Sequence, residues 1–314
     1  MSYTEAFEPN GFLSTGMKVS PEATRRVLNA LGRLPLPINH AIGSLIGTLM
    51  AWVPSKMRRA ARVNIEICFP ELSRREQRRL LRKTLRETGK SFTEAAIFWT
   101  RAPKELERFV VERNNDDLLI GGHAEGGGVI VAVPHLGAWE LMGIYYAQRV
   151  PLNTMYRPPR NIELDPVLRE VRARGGATMH PATARGVRGV RKALEQGEVA
   201  AILPDQEPAE GGVFAPFFGL PAKTMTLLPK LAQRTGAKVV FGVAERLPWG
   251  RGYRIYFEAA PEQVYAEDSE QAASAINRAV EGWARRFPSQ YQWTYRRFRR
   301  QPEGQLNPYA GKPL

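Results

Sequence analysis

GVIVAVPHLGAWE, residues 128–140, joins a strand signal to a reactive side chain. An unbroken apolar run from Val129 to Val133 stops at Pro134; His135 follows at once, and Glu140 stands five positions further on. Such a run, bounded by glycine and proline, reads as a strand buried on both faces. In a continuous helix five residues rotate by about 500°, so His135 and Glu140 would point about 140° apart and could not cooperate. The histidine must therefore lie outside the helix, and Pro134 and Gly137 supply the break. The reading is a turn at the carboxyl end of the strand, where open α/β sheets bind ligands, with Glu140 in the first helical turn reaching back. A carboxylate on one ring nitrogen fixes the tautomer and raises the basicity of the other, which prepares His135 to take a proton from a hydroxyl.

Outward from this stretch, short apolar runs alternate with helical segments: VIVAVP, the segment 139–148, LNTMY, the segment 164–174, VAAILP, and later AKVVFGVAE and YRIYFE. This alternation predicts an α/β fold, a mixed sheet flanked by helices. Upstream, residues 20–100 read as all helix, with a capping box at Ser73 and Glu76, and the segment 269–287 reads as a final amphipathic helix. The expected organisation is an N-terminal tail over 1–20, a helical membrane-associating arm over 21–110, an α/β core over 111–300 and a tail over 301–314, with arm and core as one unit.

The chain has 314 residues, 43% of them hydrophobic, enough for a substantial core. Its net charge of +14 favours anionic partners such as phosphates, anionic lipid or an acidic protein. One cysteine, Cys68, excludes a disulfide framework and a cysteine metal cluster; it reads as a buried apolar thiol and fits a reducing compartment. The first twenty residues carry no secretory pattern, so the N-terminus is expected to stay inside. INHAIGSLIGTLMAWVP, residues 38–54, is shorter than the roughly 20 apolar residues of a spanning helix and reads as interfacial. Between Arg58 and Arg86 ten Lys/Arg face three Glu, a cationic face suited to anionic headgroups or to a solvated helix side.

Two further constellations carry polar groups. YRPPRN (156–161) and LREVRARGGA (168–177) bring Arg157, Arg160, Arg169, Arg172 and Arg174, whose guanidinium forks suit phosphate. ILPDQEPAEGGVFAPFFGLPAKTMT (202–226) places Asp205 and Gln206 after a strand end, followed by a Pro/Gly/Phe-rich loop. There Phe214, Phe217 and Phe218 are candidates for lining an acyl-chain groove, with core packing as the alternative. GGHAEGGG, residues 121–128, lacks the features of a phosphate or dinucleotide loop and reads as a flexible turn. No serine-hydrolase elbow or zinc motif occurs, and the four histidines are scattered, so no metal site is expected. A rival reading comes from RRFPSQYQWTYRRFRR (285–300), where aromatics interleave with arginine as on a stacking platform for single-stranded nucleic acid. Another is a membrane-surface scaffold without turnover.

On NIEICFPELS (64–73), PHLGAWE (134–140), YRPPRN (156–161), LPDQEPAEGGVFAPFFGLPAKTMT (203–226) and QYQWTYRRFRRQPEG (290–304), the chain resembles the bacterial lipid A late acyltransferases. These are the lauroyl and myristoyl transferases that finish lipid A, and the resemblance spans about residues 22–308. It implies a fold resembling the glycerolipid acyltransferases and attachment to the cytoplasmic face of the inner membrane. It also implies transfer of a fatty acyl chain from acyl carrier protein to a hydroxyl of a lipid A precursor, with no covalent enzyme intermediate. Another glycolipid or amphiphile of the same kind is the alternative acceptor. His135 matches the family's catalytic histidine and Glu140 its partner carboxylate, in the HX4E form in place of HX4D. Arg172 or Arg174 matches an arginine after the YRP segment, and Asp205 the acid of the PDQ segment; with Arg157 these are the expected substrate-binding residues. No cofactor, metal or nucleic acid is implied.

Overall fold

The computed structural model of the protein describes residues 21–156 and 175–310. Seven strands form the central sheet: β1 (Val110–Asn114), β2 (Val129–Ala132), β3 (Leu152–Tyr156), β4 (Thr178–Pro181), β5 (Val199–Ile202), β8 (Lys238–Arg246) and β9 (Tyr253–Ala259). Their order is β1-β9-β8-β2-β5-β3-β4. β2 lies at the centre, parallel to both β5 and β8, while β9 runs antiparallel to β8 and carries β1 parallel to itself. The sheet is therefore mixed, as the alternating pattern predicted.

The unbroken VIVA run follows from burial on two sides. Ile130 and Ala132 point into one apolar cluster and Val129 and Val131 into the other, so neither alternate position can be polar. The first cluster is closed by α3 (Lys56–Cys68), α7 (Ala184–Glu195), α8 (Leu227–Thr235) and α9 (Ser269–Arg286); the second by α5 (Asp117–Ala124) and α6 (Trp139–Tyr146). α4 (Arg74–Thr100) serves both, with Leu80, Leu81 and Leu85 in the first and Ala95, Ile97, Phe98 and Trp99 in the second. Its start is the predicted capping box, Ser73 Oγ accepting from the Glu76 N–H while Glu76 accepts from the Ser73 N–H at 2.9 Å.

Three local expectations are corrected. The glycine-rich stretch 121–128 is not a turn throughout: Gly121 to Ala124 complete α5, anchored by the buried Leu119, and His123 Nδ1 lies 2.6 Å from the Gly197 carbonyl. The Pro/Gly/Phe-rich loop is a two-residue hairpin, β6 (Val213–Phe217) and β7 (Leu220–Thr224), turning through Phe218 (φ 51°) and Gly219 (φ 75°). Positive φ at both central residues matches strand twist, but asparagine or glycine, not phenylalanine, usually signals it. Finally, Phe217 and Phe218 are buried in the core, Phe218 against Phe69 and Trp293 at 5.3 and 5.6 Å, so they pack and do not line a groove.

The arm begins with α1 (Pro21–Arg33) and α2 (Leu36–Trp52). α2 inverts the usual pattern of an amphipathic helix. Its buried side consists of Leu36, Asn39, His40, Gly43 and Gly47, while Ile38, Leu45, Leu49 and Trp52 are exposed, Trp52 by 80%. At 100° per residue those four exposed positions fall within about 60° of one another, a single apolar stripe facing away from the protein. The glycines that interrupt the apolar run are what bring α2 against α4: a Cβ on Gly47 would lie 2.1 Å from the Leu85 carbonyl oxygen, and one on Gly89 2.1 Å from that of Gly43. Among the described residues no single helix is long and apolar enough to cross a membrane; α2 and α3 reach the length only as a pair bent by 82°.

Candidate active site

β2 ends at Ala132, and the chain passes through Pro134 into a short extended loop, His135 to Ala138, before α6 begins at Trp139. Every hydrogen-bonding backbone group of His135, Gly137 and Ala138 that points into the protein meets a named partner. The His135 N–H donates to Asp205 Oδ2 (2.9 Å) and its carbonyl accepts from the Gln292 N–H (2.9 Å). The Gly137 N–H donates to the Gln290 carbonyl (3.1 Å), the Gly137 carbonyl accepts from Arg246 Nη2 (3.2 Å), and the Ala138 N–H donates to the Ala244 carbonyl (2.8 Å). The loop is thus held between the end of β8 and the C-terminal segment by isolated bridges, Gly137 to Ala244 on one side and Leu136 to Tyr291 on the other. Gly137 is required in it: φ is +59°, and a Cβ there would lie 2.0 Å from the Ala244 carbonyl oxygen. Gly137→Ala is expected to displace the loop and lower turnover by at least tenfold while the remaining core stays folded; steady-state kinetics alongside circular dichroism measures both.

The imidazole itself is held by Asp205, whose Oδ1 lies 2.8 Å from Nδ1. Sequence reasoning assigned that carboxylate's part to Glu140 and gave Asp205 to substrate; the geometry puts Asp205, from the loop after β5, on the ring. Glu140 occupies the first turn of α6, half-buried, where an acidic group is favoured by the helix dipole. Burial alone would raise the Asp205 carboxyl, but the His135 ring and the hydrogen bonds from its side chain and backbone outweigh that and hold it below the usual carboxylate range. An ionised carboxylate only accepts, so Nδ1 carries a proton toward Asp205, and in the neutral ring the lone pair is on Nε2. The Trp139 ring stands 5.4 Å from the imidazole, and 9% of the His135 side chain is exposed, so the ring has a narrow approach. The Tyr291 hydroxyl is pushed well above the usual phenol range by burial and then by the neighbouring Asp205 charge.

Arg157, Arg160, Arg169 and Arg172, Arg174 of the two arginine segments lie outside the described residues. Cys68 is buried, and burial pushes its thiol up, away from nucleophilic character. The other three histidines have structural partners: His40 on Glu94 (3.0 Å), His123 on the Gly197 carbonyl (2.6 Å) and His180 on Asn153 Oδ1 (2.8 Å).

Sequence reading missed the support beneath the loop. The tail residues 290–300 are not a displayed basic ribbon: Tyr291, Trp293, Arg297 and Phe298 are buried, so these aromatics are core and not platforms for bases. Gln206 Nε2 donates to Gln292 Oε1 (2.9 Å), and Arg299 and Arg300 close on the buried Glu207, which fastens the Asp205 loop to the same segment. The alternation of Gln290 and Gln292 with Tyr291 and Trp293 is a period-two signal that marks an extended segment. Arg246 is the other omission. It ends β8, is 2% exposed, and reaches Glu94 Oε2 (2.8 Å), Glu87 Oε2 (2.7 Å) and Ser91 Oγ (3.0 Å) on α4 as well as the Gly137 carbonyl. Nothing near Arg246 in the chain announces partners more than 150 residues away.

Comparison with known proteins shows the family. The family described as bacterial lipid A biosynthesis acyltransferase matches residues 23–300. A lipid A biosynthesis lauroyltransferase of Escherichia coli (strain K12) is 29% identical over 280 residues, 88% of this chain and 90% of the relative. A palmitoleoyltransferase of the same strain is 28% identical over 279 residues, covering 88% and 90%, and a myristoyltransferase 25% over 294 residues, covering 88% and 85%. An imidazole with a free Nε2 beyond the carboxyl end of the central strand suits the deprotonation of an alcohol, and the family match extends over the sheet, the loop and the strap behind it: this acyltransferase belongs to the bacterial lipid A biosynthesis acyltransferases.

Proposed function

We propose that the enzyme transfers a fatty acyl chain from an acyl carrier protein thioester to a hydroxyl of a lipid A precursor, at the cytoplasmic face of the inner membrane. His135 Nε2 takes the hydroxyl proton as the oxygen attacks the thioester carbonyl. The C–O bond forms, the C–S bond breaks, and the proton passes from the imidazolium to the departing thiolate. Asp205 holds Nδ1–H; Glu140, in the first turn of α6 just after the His135 loop, would balance charge on the imidazolium as the proton arrives. Arg157, Arg172 and Arg174 would hold acceptor phosphate, and the cationic surface of α4 would attract the acidic carrier protein. The single observation that carries the reading is the 2.8 Å contact between His135 Nδ1 and a buried, ionised Asp205.

What supports the membrane placement is α2, whose apolar stripe is turned outward while its glycines and polar residues are buried. In a water-surrounded helix the opposite face is buried, and an exposed apolar patch of this kind marks a membrane or partner surface. The overall fold resembles the glycerolipid acyltransferases in this proposal, with the arm as a monotopic attachment.

The test is mass spectrometry of purified enzyme with an acyl–acyl carrier protein and a lipid A precursor. The expected product is the precursor plus one acyl residue, and the intact enzyme incubated with donor alone should show no added acyl mass. An acylated enzyme would replace direct transfer with a covalent mechanism.

A further inference from the structure

We infer that a four-arginine pocket beside α2 binds the headgroup phosphate of an anionic phospholipid in the bilayer. The inference rests on the outward face of α2 meeting a membrane, as proposed above.

The pocket has a volume of about 440 Å³ and is lined by Arg33, Arg101, Arg108 and Arg251, with Pro37 and Phe109 among its apolar residues. No carboxylate lines it, and among the described residues none of the four guanidinium groups forms a salt bridge. Arg101 and Arg108 flank the Phe109 ring at 5.4 and 4.9 Å, and Arg101 also donates to the Gly32 and Leu34 carbonyls at 2.7 and 2.8 Å. Carbonyls and a ring orient guanidinium groups but do not cancel their charge. Like charges gathered around one cavity repel, and a phosphate seated among them reverses the sign while matching the fork geometry of arginine.

Position selects a lipid over a dissolved anion. The pocket opens between the start of α2 and the β8–β9 turn, whose Trp249 is 88% exposed and held at φ 62°, and Gly250 of that turn packs on Pro37. Ile38, where the α2 stripe begins beside the lining residue Pro37, and Trp249, beside the lining residue Gly250, are thus apolar surface next to a cationic basin, the pairing an interfacial protein offers to acyl chains and headgroups. The same position separates the pocket from the reacting group. Arg108 and Phe109 precede β1, the edge strand, three strand steps from β2 and His135, which at ~4.8 Å per step is on the order of 14 Å. Arg246 at the end of β8 pairs with Tyr253, which also pairs with Val110, so the pocket and the His135 loop share one end of the sheet.

The experiment is vesicle flotation of the full chain with phosphatidylcholine alone and with added phosphatidylglycerol. It compares wild type with Arg33→Gln/Arg108→Gln/Arg251→Gln and with a charge-matched control, Arg75→Gln/Arg79→Gln/Lys83→Gln on α4. Wild type is expected to bind both vesicles and to bind the anionic ones more tightly. The pocket variant should lose roughly 10- to 100-fold of that gain while keeping its binding to phosphatidylcholine; the control should lose several-fold less. Equal losses in the two variants would mean diffuse attraction and overturn the pocket, as would equal wild-type binding to both vesicles. Tight calorimetric binding of inorganic phosphate without vesicles would replace the lipid by a free anion. A raised KM for the lipid A precursor in detergent with vesicle binding unchanged would reassign the pocket to the acceptor. If wild type binds neither vesicle, the membrane face itself fails, a result distinct from failure of the pocket alone.

Discussion

His135→Ala is expected to lower acyl transfer on the order of 10²- to 10⁴-fold, the loss typical of removing a general base. The substitution also strips Asp205 of its ring partner while the His135 backbone N–H at 2.9 Å and the Tyr291 hydroxyl remain beside it, so folding is verified by circular dichroism before the kinetics are read. Asp205→Asn separates orientation from basicity. An asparagine amide donates to Nδ1 where the carboxylate accepted from it, which moves the imidazole proton to Nε2 and removes the lone pair that attacks the hydroxyl proton. A loss in kcat comparable with that of His135→Ala, with little change in KM, is the expected outcome. If Asp205→Asn retains activity while Glu140→Gln abolishes it, the orienting carboxylate is Glu140, not Asp205.

The largest expected effect on stability is at Arg246. Arg246→Met leaves the buried Glu94 without its guanidinium partner, and breaking a buried pair from one side costs about 3–5 kcal/mol. Lysine is a poor substitute, because one fork serves two carboxylates, a hydroxyl and the Gly137 carbonyl at once. Thermal melts should place Arg246→Met far below wild type, with Arg246→Met/Glu94→Met recovering part of the loss; no recovery would show that the charge left behind is not what destabilises. The same cluster sets an acid limit. Burial alone would raise the Glu94 carboxyl, but Arg246 and His40 lower it from 4.5 to about 2. A depressed carboxyl stabilises the fold in full above its unfolded value, so this contribution is present above about pH 4.5 and is lost as pH falls toward 2. Asp205, also depressed, acts in the same direction. The protein should therefore unfold on acidification below about pH 4, and the Arg246→Met/Glu94→Met variant should show a shallower acid limb.

What was legible without coordinates was whatever depends on neighbours in the chain. The run VIVA must be buried on both sides, Ser73 and Glu76 must cap a helix, and a histidine after Pro134 must stand at a strand end; each follows from spacing and local chemistry over a few residues. Tertiary structure alone decided the partners. It brought Asp205 to an imidazole 70 positions earlier, set Gln290 and Gln292 behind the His135 loop, and joined Arg246 to Glu94 across 152 residues. It also turned the greasy side of α2 outward, because Gly43 and Gly47 give α4 the close approach that larger side chains would deny. Pairing of charges and the choice of a buried face depend on where distant segments meet in space, and sequence spacing carries no record of that.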